Sequence, residues 1–150
     1  MPQSLAQLYV HLIFSTKNRE RWLVPDLHPE MHAYMGGILN RHDCMPVEIN
    51  SEPDHVHVLF RLGRTAAVSD VVAHVKKGTS DWLRARSREF AGFYWQGGYG
   101  AFSVSQSGVD EVRTYIREQQ EHHRRRTFQE EFLEFLRRYE VDYDERYLWD

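Results

Sequence analysis

Met45-Pro46-Val47-Glu48-Ile49-Asn50-Ser51, then Glu52-Pro53-Asp54, then His55-Val56-His57-Val58-Leu59-Phe60-Arg61-Leu62: how these eighteen residues pair decides the fold. Both ends read as strands, the second rich in Val, Leu and Phe although its alternation is imperfect. The middle has turn chemistry, with a proline between two acids. A hairpin here, with a helical segment on either side, is the centre of a β-α-β-β-α-β chain.

Working upstream, Pro29 to His42 reads as a helix, weakened by Gly36 and Gly37 at about 1 kcal/mol each relative to alanine. Before it, Leu8 to Ser15 is a strand that ends in the polar, basic turn Thr16-Lys17-Asn18-Arg19. Downstream, Ser69 and Asp70 can cap a helix that runs to about Arg88. Gly97-Gly98-Tyr99-Gly100 is a loop and Ala101 to Ser105 a fourth strand. A helix follows from Val109 to about His123, and a last one starts near Thr127. In that last helix Phe128, Phe132, Phe135 and Tyr139 fall at i, i+4, i+7 and i+11, a packing face. The order predicts an α+β fold of the ferredoxin-like, split βαβ kind. Its sheet is antiparallel and four-stranded, with helices on one face and added C-terminal helices. Such a fold does not by itself select a chemistry.

A chain of 150 residues fits a single domain, here 1–150, and its 41% hydrophobic and 27% charged residues are ordinary for a globular protein. Cys44 is the one cysteine, so no intramolecular disulfide can form and a cytoplasmic setting is expected. The longest apolar run, Leu8 to Phe14, is interrupted by His11, so neither a signal peptide nor a membrane span is expected. The net charge of −3 hides an asymmetry. Residues 127–150, an acidic and aromatic helix and tail, carry −5, and the remainder carries +2. A basic, nucleic-acid-binding face outside the tail is therefore compatible with the composition.

Chemistry is suggested first by His55-Val56-His57. On a strand, residues i and i+2 point to one face, so the two imidazoles project together as a pair of metal ligands, with Asp54 placed to orient one of them. A bare His-x-His more often marks a solvated sheet face. The second feature is Tyr115 with Gln119, which share a helix face at i, i+4. Gln119 offers an amide oxygen as a third ligand, and His122 or Gln120 are alternatives to it. Alone, this tyrosine would be structural. Beside a metal it becomes a nucleophile, although only about one phenol in a thousand is ionised at neutral pH, because an ion can polarise a phosphodiester. Two histidines and an amide suit Mg2+ or Mn2+, and zinc would also be accepted. Candidate phosphate contacts are Lys17, Arg19 and Arg21, then Lys76 and Lys77, and the run His122-His123-Arg124-Arg125-Arg126, where positive charge also answers a helix end. Trp82 and Trp95 could stack on bases, although packing is the commoner use.

Five segments in order resemble one family: Val10 to Lys17, Pro53 to Leu59, Val75 to Ser80, Trp95 to Ser105, and Tyr115-Ile116-Arg117 with Gln119. Together they resemble the IS200/IS605-like single-tyrosine transposases of the HUH (His-hydrophobe-His) nuclease superfamily. The resemblance implies a homodimer that cleaves and rejoins single-stranded DNA near hairpins at element ends, through a 5′-phosphotyrosine link. It implies His55, His57 and Gln119 as ligands and Tyr115 as nucleophile, serving its own or its partner's site. Two other readings make different predictions. A relative that has kept only hairpin binding would bind without cleaving. A hydrolytic zinc enzyme would not need Tyr115, and the chain has no His-Glu-x-x-His pattern to support one.

Overall fold

The computed structural model describes residues 2–123 and 125–150; Arg124, one of the expected phosphate contacts, lies outside the described residues. The hairpin forms as expected. β2 (Met45–Glu52) pairs antiparallel with β3 (His55–Leu62), with Glu52 opposite His55. β3 also pairs antiparallel with β1 (Leu8–Ser15), and β1 with β4 (Gly100–Val104), giving the order β2-β3-β1-β4. β3 and β1 are thus the two inner strands. Their residues are buried on both faces, which is why His55 to Phe60 does not alternate cleanly in the sequence.

One face carries Val10, Leu12 and Phe14 of β1 with Val56, Val58 and Phe60 of β3. Against it lie α1 (His28–Arg41) and α2 (Val68–Arg86) through Met31, Met35, Leu39, Val72, Val75 and Leu83. The two helices cross closely at Gly78, where a Cβ would sit 2.7 Å from Cδ1 of Ile38. The other face carries His11, Ile13 and Ser15 opposite Leu59, His57 and His55. It is covered by α3 (Val109–Arg117) and α5 (Phe128–Arg138), with the short α4 (Gln119–His123) between them. Ile116 of α3 packs with Leu59, and Phe128, Phe132 and Phe135 of α5 pack with Ile13 and Phe102. The pair α1–α2 holds one face as expected, and the trailing helices hold the other.

Local details differ from the sequence expectations. α2 starts after Ala67, without a side-chain cap, so Asp70 acts as a first-turn acid rather than as the cap, and the helix stops at Arg86. The expected single helix from Val109 to His123 is broken at Glu118 (φ −96°, ψ 23°). α5 has a full capping box: Thr127 accepts from the Glu130 amide, and Glu130 accepts from the Thr127 amide. Among the described residues no helix is long and apolar enough to cross a membrane.

Candidate active site

His55 and His57 project from β3 onto the face under α5, and both are fully buried. Each imidazole is held through Nδ1. Nδ1 of His55 lies 2.7 Å from the Asp54 carboxylate, and Nδ1 of His57 lies 2.8 Å from Nε2 of His11 on the neighbouring strand. Nε2 of both rings is therefore left to face the same side. Nε2 of His55 has no hydrogen-bond partner although it is buried.

The C-terminal elements close this side. His123, at the end of α4, is held in the same way, its Nδ1 3.0 Å from the carbonyl of Arg126. Glu131 of α5 is fully buried and points into the group. Its Oε1 lies 2.9 Å from Nε2 of His57, 3.2 Å from Nε2 of His123 and 3.7 Å from Nε2 of His55. Its Oε2 accepts from the hydroxyl of Tyr115, which in turn accepts from Nη2 of Arg126 at 2.7 Å. The Tyr115 ring stacks on His122 with centroids 4.3 Å apart and stands edge-on to His57 at 6.2 Å. A single carboxylate thus joins the tyrosine to the histidines.

The charges follow from this packing. Burial alone would raise the carboxyl of Glu131, but the imidazoles of His57, His123 and His55 outweigh it and hold the group ionised well below the usual carboxylate range. Burial, and then the charge and hydrogen bond of Glu131, push the Tyr115 phenol well above its ordinary value, against the opposing pull of Arg126. Burial drives His57 and His11 down, whereas the hydrogen bond and charge of Glu131 keep His123 raised against its burial.

The four donors fit a metal ion. One atom from each of His55, His57, His123 and Glu131 lies within 4.8 Å of the others. Donors each about 2.1 Å from one ion stand roughly 3.0–3.4 Å apart at octahedral or tetrahedral angles, and the three contacts of Glu131 Oε1 bracket that range. Gln119 is also fully buried, with Oε1 unpartnered, but its Nε2 is turned to the carbonyl of Tyr115 at 3.4 Å. Among the described residues none of its hydrogen bonds reaches His55 or His57.

The other expected contacts are scattered. Lys76 donates to the carbonyls of Gln96 (2.6 Å) and Gly98 (3.0 Å), and burial lowers its ammonium to about 8; it pins the loop before β4. Lys77 is exposed and paired with Asp81 at 2.8 Å. Lys17 is exposed, and Arg19 rests over the Trp149 ring. Trp82 stacks on Tyr34, and Trp95 packs edge-on against Phe14, so both serve packing. Sequence reasoning missed His11, Glu131 and the position of His123. A signal was present for two of them: His11 is one polar residue inside an apolar strand, and Glu131 is one acid inside the stripe Phe128, Phe132, Phe135.

Residues 4–119 match a family model described as IS200-like transposases. The ISDra2 transposase TnpA of Deinococcus radiodurans is 24% identical over 118 residues, covering 75% of this chain and 84% of that protein. Among solved structures, a crystal structure from Deinococcus radiodurans R1 assigned as a transposase superposes with a TM-score of 0.62 at 22% identity, over 79% of this chain and 98% of that one. A REP-associated tyrosine transposase, solved bound to a REP hairpin, also gives 0.62, at 12% identity over 82% of this chain and 73% of that one. The family match stops at Gln119; His123, Arg126 and Glu131 lie beyond it.

Proposed function

Since the chain belongs to the IS200-like transposase family, we propose that it cleaves and rejoins single-stranded DNA through a tyrosine–phosphate link at the site built on His55, His57 and Tyr115. The observation that carries this reading is the reach from nucleophile to histidines: one carboxylate, that of Glu131, touches both. Tyr115 Oη attacks phosphorus and forms the new P–O bond, and the bond to the 3′-oxygen breaks. One DNA end leaves as a 3′-hydroxyl and the other stays on Tyr115 as a 5′-phosphotyrosine. The phenol proton departs along the hydrogen bond that already runs to Oε2 of Glu131 and is passed on to the departing 3′-oxygen, so that the carboxylate is ionised again at the end. Arg126, on the same phenol oxygen, favours the negative charge that develops there. A 3′-hydroxyl from another strand reverses the step, so rejoining needs no outside energy source.

His55 and His57 are the proposed holders of Mg2+ or Mn2+, with Gln119 the third ligand that the family resemblance implies. Bound there, the ion would polarise the phosphodiester. Hairpin-bearing single-stranded DNA is the proposed substrate, supported by the relative solved on a REP hairpin. A homodimer is proposed on the resemblance alone. Lys17, Lys77 and Arg125 are exposed cations available to the DNA backbone.

The test is a denaturing gel after incubation with hairpin-bearing single-stranded oligonucleotides and Mn2+ or Mg2+. A covalent protein–DNA adduct is expected from the native chain and none from Tyr115→Phe. An adduct that survives Tyr115→Phe refutes the nucleophile. Hairpin binding that persists with chelator and in His55→Ala, without an adduct in either metal, replaces the enzyme by a hairpin-binding relative.

A further inference from the structure

We propose that His123 and Glu131, supplied by α4 and α5 beyond the family segment, are metal ligands that complete the centre begun by His55 and His57. The inference rests on the proposed metal reading and goes past it, since the resemblance implies Gln119 and no residue after it.

The argument starts from which nitrogen of each ring is already engaged. Nδ1 of His123 faces a backbone carbonyl and Nδ1 of His55 faces a carboxylate, both pure acceptors, so each Nδ1 carries the proton. In the neutral ring Nε2 then presents a lone pair. Nδ1 of His57 lies 2.8 Å from Nε2 of His11, which accepts its proton in the tautomer where His11 carries its own on Nδ1. Three rings fixed through Nδ1 with Nε2 inward are what ligating histidines need, since the outer hydrogen bond sets the ring's orientation and its donor atom.

The inward side is where the arrangement suits a cation. Nε2 of three rings and a carboxylate oxygen meet within a few ångströms; His55, His57 and Glu131 are fully buried there and His123 is nearly so. Lone pairs facing a carboxylate oxygen repel it unless positive charge lies between them. Protons on Nε2 of His57 and of His123 can bridge those two rings to the carboxylate, but they leave Nε2 of His55 without a bond. A divalent ion bridges all four at once, and it also gives the buried, unpartnered Nε2 of His55 a bond. Gln119, whose buried Oε1 has no hydrogen-bond partner, is the further oxygen that the resemblance implies, and the four donors do not depend on it. Three imidazoles and one carboxylate are borderline rather than hard donors, so they favour Mn2+ or Zn2+ over Mg2+.

The experiment is Mn2+ binding to the full chain, followed by calorimetry and by electron spin echo modulation from ligand 14N. One ion per chain is expected, with modulation from three imidazoles and affinity above that for Mg2+. His123→Ala is expected to lose one imidazole from the spectrum and about tenfold or more in affinity. Glu131→Gln is expected to lose at least as much, and Glu131→Asp less. Melting without metal identifies any variant that fails to fold, and Glu131→Asp, which keeps the carboxylate, then stands in for Glu131→Gln. Unchanged affinity and unchanged nitrogen modulation in His123→Ala overturn the inference. So does Glu131→Gln binding Mn2+ more tightly and forming adduct faster, because the carboxylate would then be a plug. The two readings separate cleanly: adduct formed in chelator by a chain that binds no Mn2+ overturns the metal reading itself. Native Mn2+ binding that ignores His123 and Glu131 overturns this inference alone.

Discussion

The hydroxyl of Tyr115 donates to Oε2 of Glu131, sixteen residues later in the same chain, while Oε1 of that carboxylate lies 2.9 Å from Nε2 of His57. Within the one chain described, Tyr115 thus stands beside its own histidine pair. We propose that it serves the site of its own copy. A mixture of Tyr115→Phe and His57→Ala chains is therefore expected to give no adduct, since neither copy holds a complete site. Recovery of adduct in the mixture, read on the same denaturing gel, would show that the tyrosine is exchanged between subunits.

Asp54 acts through His55. Its carboxylate lies 2.7 Å from Nδ1, and the hydrogen bond from His55 keeps its own acid strength above that of an ordinary aspartic acid despite partial burial. Asp54→Ala frees the ring to rotate and removes the partner that leaves Nε2 for the ion. Affinity for Mn2+ is expected to fall by about 10–100-fold with the fold intact, measured by calorimetry alongside the melting temperature. Asp54→Asn, which can still accept through its amide oxygen, is expected to recover part of the loss.

How much of this could be read from the chain alone depends on the range of the interaction. The hairpin at Met45 to Leu62, the strand at Leu8 to Ser15 and the aromatic stripe of the last helix are local patterns, and each lies where its pattern puts it. The break at Glu118 was not legible, because no proline or glycine marks it. The histidine pair was legible because a strand fixes the i, i+2 geometry. Glu131 was legible only as an acid inside an aromatic stripe, because its importance arises when α5 folds back across the sheet onto His57, 74 positions earlier. His11 was read as an interruption of an apolar run, and it becomes a positioning residue only through the antiparallel register that sets it diagonal to His57.

The start of α5 offers a way to loosen Glu131 without touching it. Thr127 accepts from the Glu130 amide at 3.2 Å, and Oε1 of Glu130 accepts from the Thr127 amide at 3.1 Å. Thr127→Ala removes one arm of this capping box and is expected to cost about 1 kcal/mol in urea unfolding. Because Glu131 sits in the turn that the box fixes, Mn2+ affinity is expected to fall severalfold as well. Thr127→Ser, which keeps the accepting oxygen, is expected to match the native chain in both measurements. A stability loss with unchanged Mn2+ affinity would mean that the helix start does not govern the position of Glu131.

His32 supplies a pH dependence away from the site. Its Nε2 lies 2.7 Å from the Ser51 hydroxyl, and its ring stacks on His28 with centroids 5.5 Å apart. Burial, and then the charge of His28, lower it from the usual 6.5 to about 4. Between those two values the unfolded chain takes up a proton that the native chain refuses, so stability is complete above about pH 6.5 and declines as the pH falls toward 4. For a fully buried ring that gap would amount to about 3 kcal/mol; His32 is partly exposed, and screening reduces it to about 1–2 kcal/mol. Other buried histidines, such as His11, contribute in the same direction, so the test is a difference. The unfolding free energy in urea is measured at pH 7.5 and pH 5 for the native chain and for His32→Gln, which keeps a donor for Ser51 but cannot take a proton. The drop between the two pH values is expected to be smaller in His32→Gln by about 1–2 kcal/mol. Equal drops in the two proteins would show that His32 accepts its proton without cost in the folded state.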